Sequence, residues 1–370
     1  MMNRRDFLRS ATLGSAALAW SGTACPWAPP LSAEGESWRT YEVTTRIEVL
    51  RPDGTVRVWV PVPLTIATPY QRPLGTVFEA PNGHARLLDD RARGLGMVAA
   101  EWRPGATPAL TVVSRVKTRD IAVNLTTPSR VGEPDRATLA RFREPSALIP
   151  SDGIVRKTAL EITHAAHTDL EKARAIYDWI VDNTFRDPKT RGCGIGDIRF
   201  MLESKNLGGK CADLNALFVG LAHAVGLAAR DVYGVRVAKS EFGYRSLGLA
   251  TENASKAQHC RAEVYLAGFG WVPADPADVR KVVLEEPPGN LSSHDEPVRR
   301  ARARLFGGWE MNWIAFNFEH DVALPGATGP KVPYFMYPQG ETAAGRLDSL
   351  DPDAFKYTIT ARQVPAGSHI

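Results

Sequence analysis

The hydrophobic pattern divides the chain into a strand-like first part, a helical middle and a mixed tail. Thr40 to Leu50 is rich in Thr, Val, Ile and Tyr, Arg51-Pro52-Asp53-Gly54 reads as a turn, and Val56-Arg57-Val58-Trp59-Val60 alternates. In that turn Pro fixes φ and Gly supplies φ > 0, so a hairpin is expected. Further strand-like runs lie at 85–88, 97–102 and 109–116, and residues 38–118 are predicted to form a small β-sandwich. Nothing in it collects His, Cys or paired carboxylates, so it reads as a non-catalytic module. Residues 119–152 carry many Pro, Arg, Ser and Asp residues and read as a linker or a loosely packed crossover.

The period then changes. Thr168-x-x-Glu171 is a capping box, and Leu170, Ala173, Ile176, Tyr177, Ile180 and Val181 recur at helical spacing. A second helix is predicted from Cys211, with Leu214, Leu217, Phe218, Leu221 and Val225 on its apolar face and Gly226 at its end. Strands are predicted at 229–237 and 258–266, the latter turning through Ala267-Gly268-Phe269-Gly270 into Trp271-Val272-Pro273. A buried helix on antiparallel strands gives an α+β core over 153–285, with 286–370 as a C-terminal extension packing on it.

Composition narrows the class. The 370 residues are 44% apolar and 23% charged, with a net charge of +4, which describes a folded globular chain. No basic block tracks phosphates, so nucleic acid is not an expected partner. No apolar run reaches the length of a membrane span, so no stable insertion is expected. The chain opens Asn3-Arg4-Arg5-Asp6-Phe7-Leu8-Arg9, followed by a mildly apolar stretch to Trp20, the layout of a twin-arginine export signal over 1–33. Export of this kind implies work in the periplasm or outside the cell. Ala24 and Ala33 both end small-residue stretches where a cleavage could fall. Gly22 stands where a lipobox before Cys25 would want a Leu-like residue. Loss of this segment leaves Cys193, Cys211 and Cys260, an odd number, so at least one thiol stays unpaired within the chain.

Cys211 is the sharpest candidate. It follows Gly208-Gly209-Lys210 at a helix start, where unpaired N–H groups and the positive end of the helix dipole favour a thiolate. Its own N–H is a candidate oxyanion donor. A base and an orienter are needed as well. His259 opens the next strand and Asp275 ends the following hairpin arm, so the two are expected side by side across the ladder.

The segment from Gly208 through Cys211 to Leu217, followed by Gly226-Leu227-Ala228-Ala229-Arg230, resembles the cysteine segment of the transglutaminase-like superfamily. His259 to Leu266, then Gly270-Trp271-Val272-Pro273-Ala274-Asp275-Pro276, is similar to its histidine and aspartate segments. The resemblance covers about residues 160–285 and implies a papain-like α+β fold with Cys211 as nucleophile, His259 as base and Asp275 as orienter. It implies acyl transfer or hydrolysis at protein or peptide amides through a thioester, as protease, amidase or transamidase. No metal or cofactor is called for. Many members place Trp two residues after the histidine; Arg261 stands there, which would alter the cleft wall. The competing readings are a catalytically silent scaffold on the same fold and a metal-dependent hydrolase.

Other features have bland readings. Cys260 should point away from His259 into the core. Cys193, between two glycines, is open as a second cleft thiol, a disulfide partner able to block Cys211, or a bystander. Glu161, His164 and His167 read as a solvated helix end, and Arg299–Arg304 as a solvated helix face. Trp309, Trp313, Phe316 and Phe318 read as core or as an acyl-donor groove. Asp213 and Asn215 lie just after Cys211; Asp213 reads as a cleft residue or as part of a polar helix face.

Overall fold

The computed structural model describes residues 38–128, 132 and 134–365. Residues 1–33, read above as an export signal, with Ala24, Cys25 and Ala33, lie outside the described residues. Among the described residues no helix is long and apolar enough to cross a membrane.

Six strands come first: β1 (Arg39–Val49), β2 (Val56–Pro61), β3 (Gln71–Glu79), β4 (His84–Asp90), β5 (Leu95–Trp102) and β6 (Ala109–Thr118). After a short β7 (Ile121–Ala122) come α1 (Arg136–Arg141), α2 (Gly153–Thr163) and α3 (Asp169–Asn183). Thr168 caps α3 with the reciprocal Glu171 bond that its spacing predicts. A two-residue strand β8 (Phe185–Arg186), α4 (Ile198–Ser204) and β9 (Gly208–Gly209) lead into α5 (Cys211–Ala224). Gly226, at φ +86°, follows the end of α5, a backbone region that costs glycine nothing. The second half holds β10 (Ala229–Arg236), β11 (Gln258–Leu266), β12 (Gly270–Ala274), α6 (Pro276–Glu285) and α7 (Glu296–Arg304). The tail adds β13 (Gly308–Trp309), β14 (Trp313–Asn317), β15 (His320–Val322), β16 (Val332–Tyr334), β17 (Gln339–Thr342), β18 (Gly345–Leu347) and β19 (Phe355–Val364).

The fold is α+β: a β-rich N-terminal part precedes a mixed core. Its two sheets run β19-β1-β6-β3 and β18-β17-β2-β5-β4, and they bury Ile47, Val58, Val98, Val112 and Phe355 between them. The tail is shared between the two parts. β14 extends the core sheet, whose order is β12-β11-β10-β14, while β17, β18 and β19 complete the sandwich. β19 pairs with β1 along its length, from Thr40 opposite Val364 to Val49 opposite Phe355. The stretch expected as a linker contributes α1 and β7, the latter paired with β13.

The central element is α5, whose residues are all buried except His223, which is half-buried. A helix apolar all round needs cover all round. β11 and β10 supply it on one face, and α2, α3 and α6 on the others. Cys211 therefore enters the core at the helix end that faces the sheet.

Candidate active site

The N-terminal turn of α5 is held by one carboxylate. Asp213 accepts the N–H groups of Lys210, Ile195 and Gly196, each at 2.9 Å. The Ala212 N–H donates to Cys193 O at 2.9 Å. The loop before α4 is thereby strapped against Cys211. Gly194 sits at φ +97°, and a Cβ there would fall 1.9 Å from Asp213 Oδ2, so the strap leaves room only for glycine. Asp213 is thus a tie between loop and helix. Asp213→Ala strands three N–H groups, and we expect it to lower stability by about 2 kcal/mol in urea unfolding. An unchanged midpoint would show that the strap contributes nothing.

His259 and Asp275 meet, but not as rung partners. The β11–β12 ladder ends at Ala262 opposite Ala274, so Asp275 lies one step past the last pair and His259 three residues back. Contact is made because the chain turns at Asp275, which caps α6 and accepts the Asp278 N–H at 3.1 Å. Pro276, at the first helical position, suits that turn. His259 Nε2 donates to Asp275 Oδ2 at 2.7 Å. Asn215 Nδ2 binds Cys260 O at 2.8 Å and reaches Asp275 Oδ1 at 3.3 Å, linking the second turn of α5 to both strand and aspartate. Trp313 Nε1 donates to His259 O at 2.8 Å.

The Cys211 thiol lies among the thiols of Cys193 and Cys260 and the His259 ring. With Nε2 committed to Asp275, Nδ1 is the ring nitrogen left for the sulfur. The influence of Cys193, then Cys260, then His259 holds the Cys211 thiol well below the ordinary thiol range against its burial. Burial opposes a charge on His259, and the Asp278 and Asp275 carboxylates outweigh it, so its pKa is raised. Burial, then the neighbouring Asp278 charge, raises Asp275. These opposed shifts favour a thiolate–imidazolium pair.

Residues 156–276 match the pattern of the transglutaminase-like superfamily. An uncharacterized protein of Haemophilus influenzae is 33% identical over 344 residues, covering 88% of this chain and 91% of its own length. The chain belongs to the transglutaminase-like superfamily. Among solved structures, a Cytophaga hutchinsonii protein described as a candidate cysteine protease shares the fold at a TM-score of 0.56. The two are 15% identical, with 90% of this chain and 94% of that chain covered. The periplasmic domain of TgpA from Pseudomonas aeruginosa aligns with 68% of this chain and 90% of its own, at 15% identity and a TM-score of 0.36, too low to bear on the fold.

Against the transglutaminase-like pattern, Arg261 departs in an instructive way. It does not wall a cleft: it is 2% exposed, with its guanidinium 4.7 Å from the Trp313 ring and Nε 3.5 Å from Asp275 Oδ2. Trp309, Trp313, Phe316 and Phe318 are all buried, so the aromatic stripe is core. Cys260 is buried in the core as alternation expects, yet its thiol also reaches Cys211. Cys193 is a free thiol beside Cys211 and donates to Gln258 O at 3.2 Å. Arg302 of α7 pairs with Asp178 and Asp182 of α3 rather than facing solvent alone.

Sequence reasoning passed over Asp278, Arg236 and Tyr337. The first two carry no motif signal beyond being charged residues in apolar surroundings. Tyr337 neighbours Cys193, and Tyr334 donates to Gly194 O at 2.7 Å, so the 332–337 segment closes over the thiols. Cys211 is only 3% exposed and His259 4%. The ligand atoms of His259, Asp275 and Asp278 lie within 4.8 Å of one another. Those carboxylates are already committed to the imidazole, to the Asp278 N–H and to the Arg236 guanidinium, whose charge would repel a metal cation. We assign no metal to them.

Proposed function

We propose that this chain is an exported thiol enzyme acting on amide bonds, with Cys211 as nucleophile, His259 as base and Asp275 as orienter. The carrying observation is the Cys211 thiol at the start of α5 against an imidazole whose far nitrogen is 2.7 Å from Asp275. His259 Nδ1 takes the thiol proton, and the sulfur attacks an amide carbonyl carbon. The oxyanion turns toward the Cys211 N–H at the helix start. Collapse breaks the C–N bond, the amine leaves with the proton from Nδ1, and a thioester remains. Water then releases an acid, or a lysine-type amine forms a new amide, His259 taking the incoming proton in either case. The substrates are proteins or peptides of the cell envelope. The Arg4-Arg5 signal supports that location.

A catalytically silent binding protein is the rival reading, and the sealed thiol favours it. An intact Cys–His–Asp set favours the enzyme. Incubation with envelope extract followed by mass spectrometry separates the two. The enzyme acquires an acyl adduct on Cys211 through a thioester that hydroxylamine removes. Cys211→Ala folds normally and acquires none. A folded wild-type sample inert both to extract and to iodoacetamide at pH 6 would sink the reading.

A further inference from the structure

His259 faces two carboxylates. Nε2 lies 2.7 Å from Asp275 Oδ2 and 3.4 Å from Asp278 Oδ1. The second is held from behind: Arg236 donates through Nη2 to Asp278 Oδ1 at 2.6 Å and through Nη1 to Leu247 O at 2.8 Å. Asp278 also donates its N–H to Asp275 Oδ1 at 3.1 Å, since the cap and third positions of a helix are neighbours. All four residues are less than a twentieth exposed. A buried ion pair adds little net stability over an apolar pair of similar volume, so stability alone is a weak reason for Arg236 and Asp278 to be here.

We propose that Asp278, clamped by Arg236, is a positioning residue for the His259–Asp275 pair. Its N–H sets the Asp275 rotamer, and its carboxylate, gripped by a guanidinium fixed at two points, keeps the ring from tilting off Asp275. The proposal rests on the reading of Cys211 as the nucleophile. The charged and titratable groups around Asp278 are Arg236 on β10, His259 and Arg261 on β11, Asp275 at the cap of α6 and Lys281 within α6. Cys211 on α5 lies beyond the ring, and Glu310 beyond Arg261. Burial is the largest single influence on this carboxylate and raises its pKa, but the combined attraction of Arg236, His259, Arg261 and Lys281 outweighs it and holds the group ionised.

The test is the pH dependence of Cys211 alkylation by iodoacetamide, read on the Cys211 peptide by mass spectrometry, which needs no substrate. Wild-type protein should react with a midpoint below the ordinary thiol value of about 8.5. Asp278→Asn should move that midpoint up by about one unit or more. Arg236→Lys is the sharper variant because it keeps the charge but cannot grip Asp278 and Leu247 O together. Simple Coulomb influence predicts no shift for it, whereas a positioning role predicts the same upward shift as Asp278→Asn. Near-UV circular dichroism reports folding. Should Asp278→Asn fail to fold with Arg236 left unpaired, Arg236→Lys decides; should Arg236→Lys fail, Asp278→Asn decides. An unchanged midpoint in a folded Arg236→Lys overturns the proposal, as does one in a folded Asp278→Asn. A wild-type midpoint at or above the ordinary value sinks the nucleophile reading instead.

Discussion

Asp275→Asn should cut the reactivity of Cys211 by about two orders of magnitude at pH 6, and amide turnover by about three or more. Both carboxylate oxygens face donors. Oδ2 meets His259 Nε2, with Arg261 Nε near, while Oδ1 meets the Asp278 N–H and Asn215 Nδ2. An amide has only one oxygen, so in either orientation its NH2 opposes a donor. Turned toward the ring, the NH2 leaves Nε2 as an acceptor and forces the proton to Nδ1, the nitrogen that must receive the thiol proton. The imidazolium loses its counter-charge and the thiol returns to its ordinary range or above. At pH 6 a thiol of pKa about 8.5 is under about 1% ionised, and that deficit sets the smaller figure. The check is the rate of Cys211 acylation by p-nitrophenyl acetate, compared with the rate on any peptide that yields the thioester. Equal rates for wild type and variant would remove Asp275 from the mechanism.

Acid should weaken the fold through His223, by about 3 kcal/mol between pH 6.5 and pH 4. This histidine closes α5, and its Nε2 lies 2.9 Å from Ala229 O, so the ring is neutral with the proton on that nitrogen. Burial pulls its pKa down to about 4. In the unfolded chain it is near 6.5. Below pH 6.5 the unfolded state therefore binds a proton that the folded state refuses, and stability falls until the pH reaches the folded value. His223→Gln can keep the bond to Ala229 O but cannot titrate. Its urea midpoint should lose less than wild type on going from pH 7 to pH 4, and the difference isolates His223 from every other titrating group. Parallel slopes would mean that His223 is not the acid-sensitive group.

The local features of this chain are legible in its residues. The Thr168–Glu171 capping box, the apolar stripe from Leu214 to Val225 and the β11–β12 hairpin each depend on neighbours within about one turn of helix or one ladder of strand. The sequence also singles out Cys211, His259 and Asp275, which the structure brings together, because each stands next to a turn or cap that shapes its own segment. The expected rung pairing of His259 with Asp275 does not occur, since one more step of chain and the α6 cap re-aim the carboxylate.

What tertiary structure alone decided involves distant segments. The pairing of Thr40 with Val364 closes the sandwich with the tail, and nothing local in either strand names its partner. The closing of Tyr334 and Tyr337 over the thiols follows from that closure, because β16 and β17 lead the chain between the two parts. The Arg236–Asp278 clamp joins residues 42 positions apart, and a charged residue in a strand or first helical turn reads in sequence as solvent-facing. Sequence by itself determined the candidate reactive atoms and the helix end on which the sulfur sits, since those depend on residue type and local backbone geometry. Only the assembled core decided which charges surround the imidazole and what shuts the thiol from water, because a buried charge is placed by whatever distant partner offsets its desolvation.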